Sequence, residues 1–263
     1  MQKILFILFT FLCSSASLAS LTGDSGSIII TKIENDQQCV KSIRYELKNE
    51  FYCILGLPFV NKTIIKNIDG FEVQIDFIDF GESRITIEDL SKVNLNEKDR
   101  QRANQESVRL RKILSKYSKP LWTNLDFQLP VDGVISSRYG KQRYINDQRR
   151  SPHLALDIAA PEGTNIIAPA NGTVVLTDNF FYSGNLIAID HGMGLFTTYS
   201  HLNKIKVNVG QKVKSGEVIG EVGQTGRVTG SHLHWSVYLT STRINPESIL
   251  RLKELAASEF VKN

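Results

Sequence analysis

From Leu121 onward, turn dipeptides recur at short intervals: Asp132-Gly133, Tyr139-Gly140, Glu162-Gly163, Asn171-Gly172, Ser183-Gly184, His191-Gly192 and Ser215-Gly216. Between them lie β-branched runs such as Thr173-Val174-Val175-Leu176, Leu186-Ile187-Ala188-Ile189 and Glu217-Val218-Ile219-Gly220. Short strands punctuated by turn residues at this spacing predict a compact all-β domain over 120–263, an antiparallel sandwich or barrel-like core. Asn245-Pro246 breaks the pattern and opens a C-terminal helix through about Phe260, with proline in its first turn.

The preceding region is a second β unit. Residues 20–93 contain strand-like runs at 28–30, 43–47, 51–55 and 71–77, the last alternating cleanly, with turn signals at Asn61-Lys62 and Asp69-Gly70. This reads as a small antiparallel domain; it contains no histidine and is assigned no imidazole chemistry. Asn94-Leu95-Asn96-Glu97 has the form of a helix cap followed by glutamate three residues on. Leu110, Ile113, Leu114 and Tyr117 then share one helical face. Residues 94–119 are therefore a helical connector, its many arginines and lysines a solvated face. The expected fold class is mainly β: two β domains joined by a helix.

The N-terminus sets the compartment. Met1-Gln2-Lys3 is a short positive start, 4–12 are apolar apart from Thr10, and small residues follow to Ser20. That is a secretory signal over 1–19, cut after Ala19. The apolar run is too short for a span of about 20 residues, so no stable membrane span is expected after cleavage. Cys13 lies within the signal and lacks the small residues that precede a lipidated cysteine. Removing the signal leaves Cys39 and Cys53, an even pair that in an oxidising compartment is most simply a disulfide. The net charge of +4 suits an anionic polymer and is too small and dispersed for nucleic acid.

All five histidines, His153, His191, His201, His232 and His234, fall in the second domain. His232 and His234, two apart on a strand, share a face, as do His153 and Asp157 on an extended chain. Two nitrogens and one oxygen from His153, Asp157 and one of the 232/234 pair suit tetrahedral Zn²⁺ with an open fourth position, the arrangement of a catalytic site.

From about Leu129 to Leu250 the chain resembles the lysostaphin-like (LytM-type) zinc endopeptidases. The matching pieces are Ser137-Arg138-Tyr139-Gly140, His153-x-x-x-Asp157-Ile158-Ala159-Ala160-Pro161, Ala170-Asn171-Gly172-Thr173-Val174, Asp190-His191-Gly192, Tyr199-Ser200-His201-Leu202, Gly223-Gln224-Thr225-Gly226-Arg227 and Thr229-Gly230-Ser231-His232-Leu233-His234-Trp235. More loosely, Ile54-Leu55-Gly56-Leu57-Pro58 and 85–90 resemble the accessory domain that precedes this peptidase in some Gram-negative members. The resemblance implies one zinc on His153, Asp157 and His234, with His201 and His232 assisting the attacking water, and a peptidoglycan peptide as substrate. His191 falls outside the family's metal site and reads as structural, while Tyr199 is either cleft or core. Many relatives carry glycine at Ala155 and proline at Ser231; the extra methyl of Ala155 would narrow the cleft.

The alternative reading is a non-catalytic regulator of another cell-wall hydrolase. Such members lack ligands and carry long coiled coils, whereas this ligand set is intact and the connector is short. A further expectation is that the N-terminal domain and helix cover the cleft and keep the enzyme latent, against the equal alternative of a positioning or wall-binding domain. The signal and the accessory domain point to the periplasm of a Gram-negative cell, where the cross-links are direct D-alanyl–diaminopimelate bonds rather than glycine bridges.

Overall fold

The computed structural model describes residues 21–261, apart from Asp36, Lys41, Asp89 and 122–124. The expected signal over 1–19 lies outside the described residues. The first seven strands are β1 (Leu21–Asp24), β2 (Ile28–Ile33), β3 (Ile43–Leu47), β4 (Glu50–Gly56), β5 (Ile64–Ile68), β6 (Phe71–Asp76) and β7 (Glu82–Ile85). They form two three-stranded sheets, β2-β4-β3 and β1-β6-β5, with β7 left over. Alternation in β6 buries Val73 and Ile75 completely. Asp69 (φ 52°) and Gly70 (φ 87°) make the tight β5–β6 turn, which needs two left-handed residues. Cys39 and Cys53 are disulfide-bonded, with Cα atoms 5.9 Å apart. Cys53 lies in a small core with Leu55, Leu57, Val73 and Ile75.

The unit is not wholly antiparallel, as its strand pattern suggests it should be. β1 runs parallel to β6, and β7 runs parallel to a strand beyond the connector. Four-residue strands of mixed polarity carry no signal for the direction of their partner.

Helix α1 (Glu97–Leu114) is capped by Asn96, whose side chain accepts from the Asp99 amide at 2.9 Å. The cap lies two residues beyond the expected Asn94, whose own amide is bonded to Leu90 O in the preceding turn. Leu110 and Ile113 pack on Leu176, Phe180, Leu186 and Ala188, and Leu114 packs on Phe196 and Tyr238. Tyr117 lies past the helix end and is exposed. The connector is therefore laid along one face of the second unit.

That unit comprises β8 (Val134–Ser137), β9 (Gln142–Ile145), β10 (Gln148–Arg149), β11 (Leu156–Ala159), β12 (Asn165–Ile167), β13 (Gly172–Phe180), β14 (Gly184–Gly192), β15 (Leu195–Leu202), β16 (Lys204–Ile205), β17 (Lys212–Val213), β18 (Val218–Glu221), β19 (His232–Leu239) and β20 (Thr242–Ile244). Eight of these form one antiparallel sheet, ordered β17-β13-β14-β15-β19-β11-β8 with β20 beside β19. A small sheet, β12-β18-β16, brings Ile166 and Ile219 onto the same core as Ile187, Leu202 and Trp235. The fold is mainly β. Its C-terminal helix is interrupted: α2 (Pro246–Leu250), capped by Asn245, ends at Arg251, and α3 (Leu252–Val261) follows.

Two features join the halves. β7 pairs with β9 in a sheet ordered β10-β9-β7. Ile28, Ile30, Ile43, Tyr52 and Ile54 of the first half share a continuous core with Ile244, Ile249, Leu252 and Ala256 of the second.

Candidate metal centre and its cleft

The centre is assembled at the middle of the large sheet. β11 and β19 run antiparallel in a register that sets Asp157 directly opposite His234. On β19, His232 and His234 are partly exposed, while Leu233 and Trp235 between and beyond them are fully buried. Pleating thus sends both imidazoles to one face. β15 lies on the other side of β19, with Ser200 opposite His234, and so delivers His201 to the same place.

His153 arrives on the loop before β11 and is fully buried. Its backbone holds the β8–β9 turn: the Gly140 amide donates to His153 O at 2.6 Å, and the His153 amide donates to Lys141 O at 2.8 Å. Gly140 has φ 92°, and a Cβ there would meet the Phe80 ring, so both conformation and space require glycine.

His153 Nε2 is 3.0 Å from Asp157 Oδ1 and 3.3 Å from His234 Nδ1, and that nitrogen is 2.7 Å from the same oxygen. His153 Nδ1 lies 3.0 Å from Arg138 O, beside Ser137 Oγ at 3.1 Å. A carbonyl only accepts, so Nδ1 carries the proton and Nε2 presents a lone pair toward the cluster. Three electron-rich atoms therefore converge, a donor set that asks for a cation. His153, Asp157 and His234 could hold a metal ion, their ligand atoms all lying within 4.8 Å of one another. Two nitrogens and one carboxylate oxygen fit zinc with an open position.

The other two histidines flank this set. His201 and His232 have ring centroids 4.9 Å apart. His201 Nδ1 is 2.9 Å from Thr225 O and His232 Nδ1 is 2.9 Å from Gly230 O, so each Nδ1–H donates to a carbonyl and Nε2 is left open. His232 Nε2 stands 3.9 Å from Asp157 Oδ1.

Electrostatics match this division. Burial raises the Asp157 carboxyl, but the adjacent His234 and His153 rings outweigh it and hold it well below the usual range. Burial lowers His234 to about 4 against the pull of Asp157. Burial, and then the neighbouring His234 and His232, push His201 well below its ordinary value. Neutral imidazoles and an ionised aspartate are the forms that metal binding and proton acceptance require.

The remaining expectations are placed as follows. His191 is fully buried away from the cluster, its ring bonded to Asn171 O and Thr197 Oγ1, both at 2.8 Å. Tyr199 is core, its hydroxyl 2.8 Å from Thr197 Oγ1. Ala155 is fully buried and does not line the cleft, so its methyl thickens the wall without narrowing the groove. Ser231 Oγ donates to Ala160 O at 3.0 Å.

The cleft over the centre encloses about 280 Å³. Its walls include Arg143, Tyr182 and Arg227, and also Ser83, Ile85 and Ile87 from the N-terminal half. Arg143 did not stand out in the sequence, and 85–90 did so only through a loose likeness to an accessory domain.

Residues 151–246, which contain every residue of the cluster, match Peptidase family M23. Those residues form a LytM-type M23 peptidase domain. The M23 match extends to curated relatives. Peptidoglycan DD-endopeptidase ShyA of Vibrio cholerae is 43% identical over 119 residues, 44% of this chain and 28% of that protein. DD-carboxypeptidase/endopeptidase Mpg of Neisseria meningitidis is 37% identical over 115 residues, 44% of this chain and 26% of that protein. The chain thus spans under a third of these relatives' length. The crystal structure named for peptidase M23 from Pseudomonas aeruginosa is 28% identical with a TM-score of 0.68, over 86% of this chain and 94% of that one. That likeness extends beyond the M23 domain into the N-terminal half.

Proposed function

We propose that this chain is a zinc-dependent peptidoglycan endopeptidase of the periplasm, hydrolysing the peptide cross-links of the cell wall. The observation that carries the reading is the convergence of His153 Nε2, Asp157 Oδ1 and His234 Nδ1 beside a cleft that Asp157 and His234 line. The printed names of the V. cholerae and N. meningitidis relatives support the substrate class. Among the described residues no helix is long and apolar enough to cross a membrane.

When bound, zinc would lower the pKa of a coordinated water towards about 7 and polarise the scissile carbonyl. The chain's own residues do the rest. His201 and His232, each anchored through Nδ1–H, offer Nε2 to take the water's proton and then to hydrogen-bond the charge that develops on the carbonyl oxygen. Ser137 and Arg138 O fix the His153 ring, so its lone pair points one way before any ion arrives. No serine or cysteine nucleophile is needed.

The test is metal content together with digestion of purified sacculi. The wild-type chain should carry about one zinc per molecule and release peptide fragments. His153→Ala and His234→Ala should lose both the metal and the digestion. Variants that digest sacculi like wild type would overturn the assignment, and a chain that purifies without stoichiometric zinc would favour the regulator.

A second reading concerns control. Ser83, Ile85 and Ile87 line the same cleft as His201 and His234, and Ile85 and Ile87 pack with Val93 and Ile145. We propose that residues 82–87 form a strap that narrows access to the centre and keeps the full-length enzyme in a low-activity state.

A further inference from the structure

Arg143 and Ile145, two apart on β9, both face the cleft. The Arg143 side chain is one quarter exposed, and among the described residues its one ion-pair partner is Asp157 Oδ2, at 3.6 Å. That distance is too long for a hydrogen bond, and a guanidinium has five N–H donors in a rigid fork. Across the cleft, the Arg227 guanidinium lies 4.1 Å over the Tyr182 ring and is opposed by the charges of both Arg143 and Arg150. Asp157 is the one acidic residue among those lining this cleft, and its Oδ1 already faces the three histidines His153, His232 and His234. Like charges are thus held together around a space with no carboxylate to spare, an arrangement that favours an anionic guest.

The fork geometry of arginine matches a carboxylate, which it can grip with two parallel hydrogen bonds. Arg143 lies 3.6 Å from the far oxygen of the aspartate whose near oxygen faces His153 and His234, so a guest carboxylate on Arg143 would sit beside the reacting bond. We propose that Arg143 is a positioning residue that receives a free carboxylate carried on the carbon next to the scissile amide nitrogen. The cleft would then select cross-links whose leaving amine bears an α-carboxylate, as in D-alanyl–diaminopimelate. A glycine bridge has no free carboxylate at an interior bond and is disfavoured. This rests on the peptidase reading above and names its substrate.

The test uses the full-length chain and two probes: a D-alanyl–diaminopimelate cross-linked peptide dimer, and the same dimer with the carboxylate beside the cross-link amidated. Cleavage is followed with metal-loaded protein and binding with metal-stripped protein. Wild type should favour the free carboxylate roughly 10- to 100-fold in both measurements, the range of a hydrogen bond to a charged group. Arg143→Gln should bring that ratio close to one with metal content unchanged, and Arg143→Lys should retain part of it. A wild-type ratio near one, or an equal loss on both dimers in Arg143→Gln, overturns the proposal. Cleavage without a preference removes the role of Arg143 and leaves the peptidase standing. A binding preference without cleavage supports Arg143 and removes the peptidase.

Discussion

His201 takes a left-handed backbone conformation, φ 69°, near the end of β15. For a residue with a branched ring this costs on the order of 1–3 kcal/mol and persists only where neighbours over-determine it. Here the His201 amide donates to Ser183 O at 2.7 Å and the ring Nδ1–H donates to Thr225 O. Both contacts aim the ring at the cleft, and the strain is local to the chemistry. His201→Ala and His232→Ala should keep the metal while kcat falls roughly 100- to 10,000-fold, the range of general acid–base catalysis. Loss of metal in either variant would place that ring among the ligands. His191 gives a different prediction. Burial lowers it from 6.5 to about 4, opposed by its bond to Asn171 O. Between those values the unfolded chain holds the proton and the native ring does not, so acid favours unfolding. The contribution is fully present above about pH 6.5 and is lost towards pH 4, amounting to about 3 kcal/mol. Urea midpoints at pH 7 and pH 5 should show a drop, and His191→Gln should make it smaller than in wild type; parallel profiles would refute the assignment.

At the scale of elements, the disulfide between Cys39 and Cys53 closes a short loop, with the two residues 14 apart in sequence. Cys39→Ser/Cys53→Ser should lower stability by about 3 kcal/mol in the chain-entropy model, measured as a shift in urea midpoint; an unchanged midpoint would count against it. How far the elements were legible depended on their length and texture. β13 and β14 announce themselves by β-branched runs between glycine turns, and β19 by the alternation of His232-Leu233-His234-Trp235 after Thr229-Gly230. The metal cluster was legible because histidine is rare here and its neighbours are distinctive. β1 and β7 were not, because Leu-Thr-Gly-Asp and Glu-Ser-Arg-Ile are too short and polar to show a buried face. Arg143 was invisible for another reason: among 31 lysines and arginines, nothing in sequence marks the one that faces Asp157. The helix cap slipped by two residues because Asn94 and Asn96 both have the chemistry, and only the turn at Leu90–Lys92 decides between them.

At the scale of the molecule, the two halves are less separable than the sequence suggests. A fragment over 120–263 would uncover Ile244, Ile249, Leu252 and Ala256, which pack against β2, β3 and β4. Excess activity or inactivity of such a fragment would confuse relief of cover with loss of packing. A point change in the strap avoids this. Ile87→Ala removes buried apolar contact worth about 2 kcal/mol from a cluster that contains none of His153, Asp157 and His234. Digestion of sacculi by the full-length variant should rise roughly tenfold as the covered population shrinks. Equal rates would argue that the segment positions the domain and does not restrain it.

The pairing of β7 with β9 bears on how such restraint could be relieved. Four register pairs, from Glu82–Gln142 to Ile85–Ile145, stitch the strap to the strand that carries Arg143. Because the neighbouring sheet is welded into the common interior, swinging the whole N-terminal half aside would tear that interior open. The economical route is to unzip one seam, and the same tug would reach the arginine directly. Admission to the groove and grip on the guest's acid group would then be mechanically linked, so that a strained wall could open the gate and prime the hold in one movement.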